Sequence, residues 1–303
     1  AQDSIWLLGR PNAVDICERC HFPRGWLEDR SDPTNASAFT GEDYDGVQCI
    51  TCHRMYDPFY ETTDTGTREG SDWVGYWDET DAGATPSTVA AHTTYLADQA
   101  QAALLGLFNG DPFYVGDLPW SGFYTENGGG QYFVSLEDEK RGSFADAVPA
   151  HNMLYSRYTK SKFFCSTCHD VSNPVLANID REGTEPNDGS GPLPTETRSA
   201  HAYGHVERTF SEFMLSSYGQ QGGAAGIGPF APEAFDTSHA GDVIATCQDC
   251  HMRDTAGRAA SKDHALLRTA ESVEHPMSGV PSHDLTGGNA WVPRILASAI
   301  PGS

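Results

Sequence analysis

Four short segments of this 303-residue chain share one reactive pattern, two cysteines separated by two residues with a histidine directly after the second cysteine. This C-x-x-C-H pattern is the one by which a c-type haem is attached to a polypeptide. The two thiols form thioethers with the haem vinyl groups, and the histidine binds the iron as its proximal ligand. The sequence therefore predicts four haem c groups per chain, held by the thiols of Cys17, Cys20, Cys49, Cys52, Cys165, Cys168, Cys247 and Cys250 and by the imidazoles of His21, His53, His169 and His251.

All eight cysteines of the chain fall inside these four segments, which leaves none for another task. A disulfide framework is one alternative, because small exported domains often use their cysteines in that way. A set of zinc knuckles is another, although zinc would need cysteine pairs from different segments and would not require a histidine at the same position four times. The repeated histidine favours covalent haem over both alternatives.

Eight further histidines could serve as second axial ligands, because the chain has twelve in all. Two imidazoles on one iron leave no open coordination position, so such a haem passes electrons without binding a substrate. Methionine is the other common sixth ligand, and the chain offers Met55, Met153, Met214, Met252 and Met277. The surplus of histidines favours low-spin, bis-histidine haems, and an electron-transfer protein over an enzyme.

Local sequence ranks these histidines as distal ligands. His151 precedes the third motif on a segment that we predict to be helical, with Leu154 on its apolar side. His283 is followed by Gly287 and Gly288, which would let the backbone approach a flat ring closely. The resulting order of candidates is His151, His283, His205, His92, His201 and His239, and we expect His264 and His275 to be solvated loop residues.

His201 and His205 stand four residues apart, so they would face the same way if that segment were helical. Ligation of one haem by His205, or of two haems by the pair, is the favoured interpretation. A shared zinc ion is the alternative.

Helices are predicted to position several of these groups. The clearest spans about 88–107, with Ser87 as its N-cap and His92, Leu96 and Ala100 on one buried face. Another is expected over about 206–218. Shorter helices are expected to carry the first and last motifs, and a short strand is expected around Tyr132-Phe133-Val134.

The rest of the sequence favours irregular structure. Its apolar fraction is 38%, and its 31 glycines and 18 prolines point to many turns. Four haems would add large apolar discs that can serve as core. We therefore predict a mostly irregular fold with short α-helices and little β-structure, a single multihaem cytochrome c domain over residues 1–303, with loop excursions at about 60–87 and 180–200.

The net charge of −23 disfavours nucleic acid as a partner, because its phosphates would be repelled. No apolar run is long enough to span a bilayer, so an integral membrane protein is not expected. Covalent haem attachment takes place outside the cytoplasmic membrane, and the start at Ala1 reads like a mature terminus. We expect an exported protein, extracellular or at the cell surface, with the periplasm as the alternative.

The motif segments resemble those of the multihaem c-type cytochromes. The resemblance rests on the four C-x-x-C-H units, on Phe164-Cys165-Ser166-Thr167-Cys168-His169-Asp170-Val171-Ser172-Asn173-Pro174 and on His283-Asp284-Leu285-Thr286-Gly287-Gly288-Asn289, and it covers about half of the chain. Within that family, a tetrahaem chain with long coil stretches is similar to the subunits of extracellular cytochrome filaments. The resemblance implies a homopolymer with stacked haems, in some members with a histidine from one subunit on a haem of the next.

Three functions remain open from the sequence. The first is electron transfer through four bis-histidine haems, in a filament that conducts over long range or in a discrete carrier, exchanging electrons with redox proteins or extracellular acceptors. The second is a multihaem oxidoreductase of the nitrite or hydroxylamine type, with one open haem. The third is a metal-storage or structural Cys/His protein. The first is favoured.

Overall fold

The computed structural model describes residues 14–65, 87–106, 110–116, 118–119, 132–173, 204–207, 209–233, 237, 243–260, 267–268 and 279–283. Most helices in these ranges are short. They are α1 (Val14–His21), α2 (Pro23–Leu27), α3 (Cys49–Arg54), α4 (Tyr60–Asp64), α5 (Ser87–Ala102), α6 (Lys162–Ser166), α7 (Thr209–Leu215) and α8 (Cys247–His251). Turns of 3-10 helix lie at Gly41–Asp45, Arg157–Lys160 and Gly228–Phe230.

The strands in the described ranges pair two by two. Antiparallel pairs are β1 (Met55–Tyr56) with β4 (Phe133–Val134), β2 (Tyr114–Val115) with β3 (Leu118–Pro119), β7 (Val171–Asn173) with β8 (Gly204–Glu207), β9 (Ala224–Ala225) with β10 (Val243–Ile244), and β11 (Asp254–Thr255) with β12 (Val280–Pro281). The parallel pair is β5 (Lys140–Gly142) with β6 (Met153–Tyr155). Two-stranded ribbons bury little surface alone, so side chains must hold these elements together.

Aromatic clusters join the elements. In one of them, Tyr56, Tyr60, Ala102 and Tyr114 bring together β1, α4, the end of α5 and β2. Among the described residues, however, buried polar or charged positions outnumber buried apolar ones, twenty-four to sixteen. Buried polar groups contribute far less to folding than apolar ones of the same size. The described chain therefore has a smaller apolar core than its length would ordinarily provide.

A buried carboxylate organises the connector between the first two motifs. Arg30 contacts Asp43 with two nitrogens, at 2.7 and 2.5 Å, and the backbone N–H of Thr40 donates to the same carboxylate at 2.9 Å. The Arg30 guanidinium lowers the pKa of Asp43 to about 2. Asp43 also caps the 3-10 turn Gly41–Asp45, which places Gln48 and the second motif directly after it.

The predicted buried face of the long helix was wrong. Helix α5 ends at Ala102 instead of 107, and His92 and Leu96 are exposed, with 50% of Leu96 accessible. The buried face carries Thr94 and Asp98, which is 2% exposed. Polar residues take this face because each has a partner inside, the Thr94 hydroxyl donating to the Tyr155 carbonyl and Asp98 pairing with an arginine of β5.

The helix predicted from His151 onward was also wrong. Met153–Tyr155 forms β6, whose parallel pairing with Lys140–Gly142 supplies the backbone partners that a helix would have provided. An added Cβ at Gly142 would meet only the terminal methyl of Met153, the flexible end of a side chain that can move aside.

The helix expected over 206–218 is shorter than predicted. It starts at Thr209 and ends at Leu215, because residues 204–207 extend as β8 to pair with β7. Residues 60–65, assigned to a surface loop over 60–87, instead begin as helix α4, with Tyr60 and Thr63 buried. Residues 66–86 and the excursion at 180–200 lie outside the described residues.

None of the helices in the described ranges combines the length and the hydropathy that crossing a bilayer requires.

Candidate functional site

Short helices carry the first two motifs. Helix α1 contains Cys17 through His21, and α3 contains Cys49 through His53. Residues three and four positions apart share a helix face, so in each motif both thiols and the histidine project to one side. That is the arrangement needed to hold one flat group by two covalent bonds and one axial ligand.

The third motif occupies α6 and the turn after it. The Ser161 hydroxyl caps the start of the helix by accepting from the Phe163 N–H at 3.1 Å. Helix α6 ends at Ser166, but the N–H of His169 still donates to the Cys165 carbonyl at 2.9 Å. The helical spacing therefore continues through the histidine.

The fourth motif is held against the third by one of its own middle residues. The Gln248 amide donates to the carbonyls of Thr159 and Ser161, each at 3.1 Å. The other middle residue, Asp249, caps its own helix by accepting from the N–H of Thr246 at 2.8 Å. The two variable positions of this motif thus fix where helix α8 starts and what it packs on.

Cysteines of different motifs lie next to one another, with the third motif at the centre. Cys20 is hydrogen-bonded to Cys168, and Cys165 is hydrogen-bonded to Cys247. Cys52 is close enough to both Cys165 and Cys168 to interact with them electrostatically. The four C-x-x-C-H units, distant in sequence, therefore form a single cluster, which we call the motif cluster.

The thiols of the motif cluster are free, and none of the eight forms a disulfide. Burial, reinforced by the neighbouring charges of Cys168 and Cys49, raises the pKa of Cys52 to about 11. Burial likewise raises the pKa of Cys250 to about 11, with Asp249 adding to the shift. Redox-active and nucleophilic cysteines have lowered pKa values, so neither thiol fits those roles.

Cys168 differs from its neighbours. The hydrogen bond from Cys20 lowers the pKa of Cys168 and raises that of Cys20, whereas the bond with Cys247 raises the pKa of Cys165.

The rings of His53 and His283 lie close together and nearly parallel, at a spacing that two imidazole ligands of one metal ion would also have. Their ring centroids are 6.1 Å apart and their planes differ by 26°. A metal–imidazole bond is about 2.0 Å, and adding the radius of each ring puts two imidazoles on opposite sides of one ion roughly 6 Å apart, centroid to centroid. The observed spacing matches that value.

The hydrogen bonds of the two rings support the same interpretation. Nδ1 of His53 lies 2.6 Å from the carbonyl oxygen of Arg141, and Nδ1 of His283 lies 3.0 Å from that of Pro281. A carbonyl can only accept, so each Nδ1 donates, and Nε2 is the nitrogen of each ring that could bind a metal. Metal-ligating histidines are typically fixed by such a bond. The residues present therefore fit a haem at the second motif.

The remaining histidine candidates have other surroundings. The side chain of His92 is 58% exposed, and it contacts Asp64 at 3.1 Å and the ring of Tyr95. His151 is exposed with its Nδ1 on the carbonyl of Asn152. The remaining candidates lie in β8 (His205) or outside the described residues (His201, His239, His264 and His275). Since His205 is in a strand, the helical condition under which it would share a face with His201 is not met at His205.

The sequence analysis did not identify Arg141, whose carbonyl contacts His53, or Asp98, which pairs with Arg141. Arg141 is fully buried in β5, and its guanidinium contacts Asp98 Oδ1 at 2.9 Å through Nε and 2.7 Å through Nη2. The carbonyl that holds His53 belongs to this same arginine. An isolated Arg and a mid-helix Asp carry no sequence signal for burial, since each depends on a partner far along the chain.

No family model, curated protein or solved structure matches the chain. Among the described residues, no group of three or more His, Cys, Asp or Glu side chains is arranged to hold a bare metal ion.

Proposed function

We propose that this chain is an electron-transfer protein with four covalently bound c-type haems. The observation that carries the proposal is the pair His53 and His283, whose spacing and hydrogen bonds suit the two axial sides of one iron. An iron with both axial positions filled by imidazole has none left for a substrate, so it exchanges electrons only.

The residues have distinct roles in this proposal. The paired cysteines of each motif hold the haem by thioethers, and His21, His53, His169 and His251 are proximal ligands. Each haem supplies a reversible one-electron couple at its iron. Arg141 and Pro281 orient the two imidazoles of the second site through their carbonyls. The motif cluster supports transfer between sites, since contacts between motifs would keep successive haems close.

Haem content and ligand binding test this function together. The purified protein is expected to give four haems per chain in a pyridine haemochrome assay, with low-spin spectra. The reduced protein should not bind carbon monoxide, because every sixth position is filled. Fewer than four haems would contradict the cofactor assignment. Four haems with a high-spin signal and rapid carbon monoxide binding would instead favour the oxidoreductase alternative.

We further propose that the chain is exported and polymerises into a filament, exchanging electrons with redox proteins or extracellular acceptors. Large apolar side chains left in solvent, among them Leu104, Leu136 and Ile227, support contacts between copies. The small apolar core also supports this proposal, because contacts with neighbouring copies can stabilise segments that have few core contacts within one chain. Native material is expected to show filaments by negative-stain microscopy and to elute early in size exclusion. Small, uniform particles would instead identify a discrete carrier.

A further inference from the structure

The Arg141–Asp98 pair is a buried charge pair next to an iron site. Asp98 is 2% exposed and Arg141 is fully buried. Two contacts connect Asp98 to the proximal histidine of the second motif, the ion pair with the Arg141 guanidinium and the bond from His53 to the Arg141 carbonyl. Charges interact strongly in such a low-dielectric environment. We expect a change of charge at the proposed iron site to act on Asp98 through these two contacts.

A small cavity opens beside this pair. It has a volume of about 20 Å³ and is lined by Asp98, Asp57 and Asp64 together with residues of α4, α5 and the 3-10 turn Arg157–Lys160. That space is enough for a water molecule, which needs about 10–15 Å³ and polar partners. Asp64, on the cavity wall, also contacts the exposed ring of His92. Asp98 is therefore linked to the surface by the cavity, by Asp64 on its wall and by the exposed His92.

We propose that Asp98 takes up a proton when the haem on His53 is reduced, so that electron and proton uptake are coupled at this site. This inference rests on the proposed function. The step balances as one electron from the redox partner to ferric iron and one proton from solvent to the Asp98 carboxylate. The added negative charge at the iron is compensated by the proton, which leaves the Arg141 cation unpaired.

The titration of Asp98 supports this coupling. Burial raises the pKa of Asp98 to about 7, although the charge of Arg141 opposes the shift. Near neutral pH its carboxyl group therefore exists in both protonation states, and a modest change in the local electrostatic potential would shift the balance between them. The charged and titratable groups around Asp98 on the packed elements are Arg141, Asp57, Tyr56, Tyr60, Asp64, Arg157 and Tyr95. The exposed His92 contacts Asp64.

The sign of the pH dependence follows from the charges. At low pH Asp98 is neutral and the Arg141 cation favours ferrous iron, so the potential of this haem is high. As pH rises through neutrality the carboxylate ionises and the potential falls. With one proton per electron, the reduction equilibrium constant changes by up to tenfold per pH unit, which corresponds to about 59 mV.

Asp98→Asn tests the coupling, because an amide cannot take up a proton. The experiment titrates the four potentials of the holoprotein across neutral pH and measures proton uptake on full reduction with a pH indicator. One potential is expected to be raised and to lose its pH dependence, and proton uptake should fall. Asp98→Glu, which keeps an ionisable group, should restore the uptake. Unchanged potentials and uptake in Asp98→Asn would overturn the proposal.

Asp146→Asn is the matched control. Asp146 forms an equally buried pair with Arg268, at 2.9 and 3.2 Å, on a different part of the chain. This variant should keep the proton uptake that Asp98→Asn loses, and equal losses in both would overturn the assignment to Asp98.

Two further results separate the possible failures. If Asp98→Asn loses haem, Asp98→Glu takes its place, and a pH dependence that does not move with the new carboxyl overturns the proposal. A chain with four low-spin haems and no Asp98-dependent uptake contradicts this inference alone, whereas a chain without haem contradicts the proposed function.

Discussion

In the tetrahaem protein proposed above, replacing His283 with alanine is expected to convert one haem from low-spin to high-spin. His283 is the described residue whose ring faces a motif histidine at the spacing of two axial ligands, 6.1 Å from that of His53. Without it, water or nothing would occupy the sixth position, and a weak-field ligand leaves the iron high-spin. The optical and EPR spectra should show about one quarter of the haem changed, with haem content still at four per chain.

Two comparisons make this result specific. His92→Ala is the matched control, because His92 is a helix residue whose contacts are with Asp64 and Tyr95. It should leave the haem of the second motif low-spin. Adding free imidazole to the His283→Ala protein should restore the low-spin spectrum by filling the vacated position. Four low-spin haems in His283→Ala, without added imidazole, would contradict the pairing of His53 with His283.

In the same proposed protein, loss of the haem on the third motif is expected to destabilise the whole fold, whereas loss of the haem on the first motif should have only a local effect. The thiols of the third motif contact those of the first and fourth and lie near Cys52 of the second. A haem presents more apolar surface than the roughly 150 Å² of a small aromatic side chain. At about 25 cal/mol per Å², its absence costs at least about 4 kcal/mol, a large share of a typical domain's stability.

The paired variants are Cys165→Ala/Cys168→Ala and Cys17→Ala/Cys20→Ala. The first is expected to retain fewer than three haems and to lose a cooperative thermal transition followed by circular dichroism. The second should keep three haems and unfold cooperatively at a lower temperature. Equal behaviour of the two variants would show that the third motif has no central place in the fold.

The motif helices could be predicted from the sequence because their information is local. The spacing of Cys17, Cys20 and His21 already places them on one helix face, and α1 spans them. The strand expected around Phe133 is β4. These predictions depend on residues a few positions apart, where the geometry of the backbone decides the outcome.

The predictions that failed depended on distant partners. Periodicity predicted that His92 and Leu96 would be buried. The face of the helix that is buried instead carries Asp98, which pairs with a buried arginine from another element. The segment that follows His151 was predicted to be helical, but Met153–Tyr155 is a strand. Its parallel partner, Lys140–Gly142, lies in a stretch whose sequence resembles a loop, so the pairing could not be predicted. His53 and His283 are likewise far apart in the sequence but close in the structure. The sequence could therefore rank His283 as a candidate ligand but could not identify the histidine that it lies beside.

The sulfur contacts of the motif cluster have a consequence for maturation. Two thiols at contact distance form a disulfide readily in an oxidising compartment. A haem-free chain that reached this arrangement after export could therefore cross-link Cys20 to Cys168 and Cys165 to Cys247, and each bond would consume two sulfurs that thioethers require. In the proposed tetrahaem protein, we therefore expect haem attachment to precede folding, while the chain is extended and its thiols are reduced.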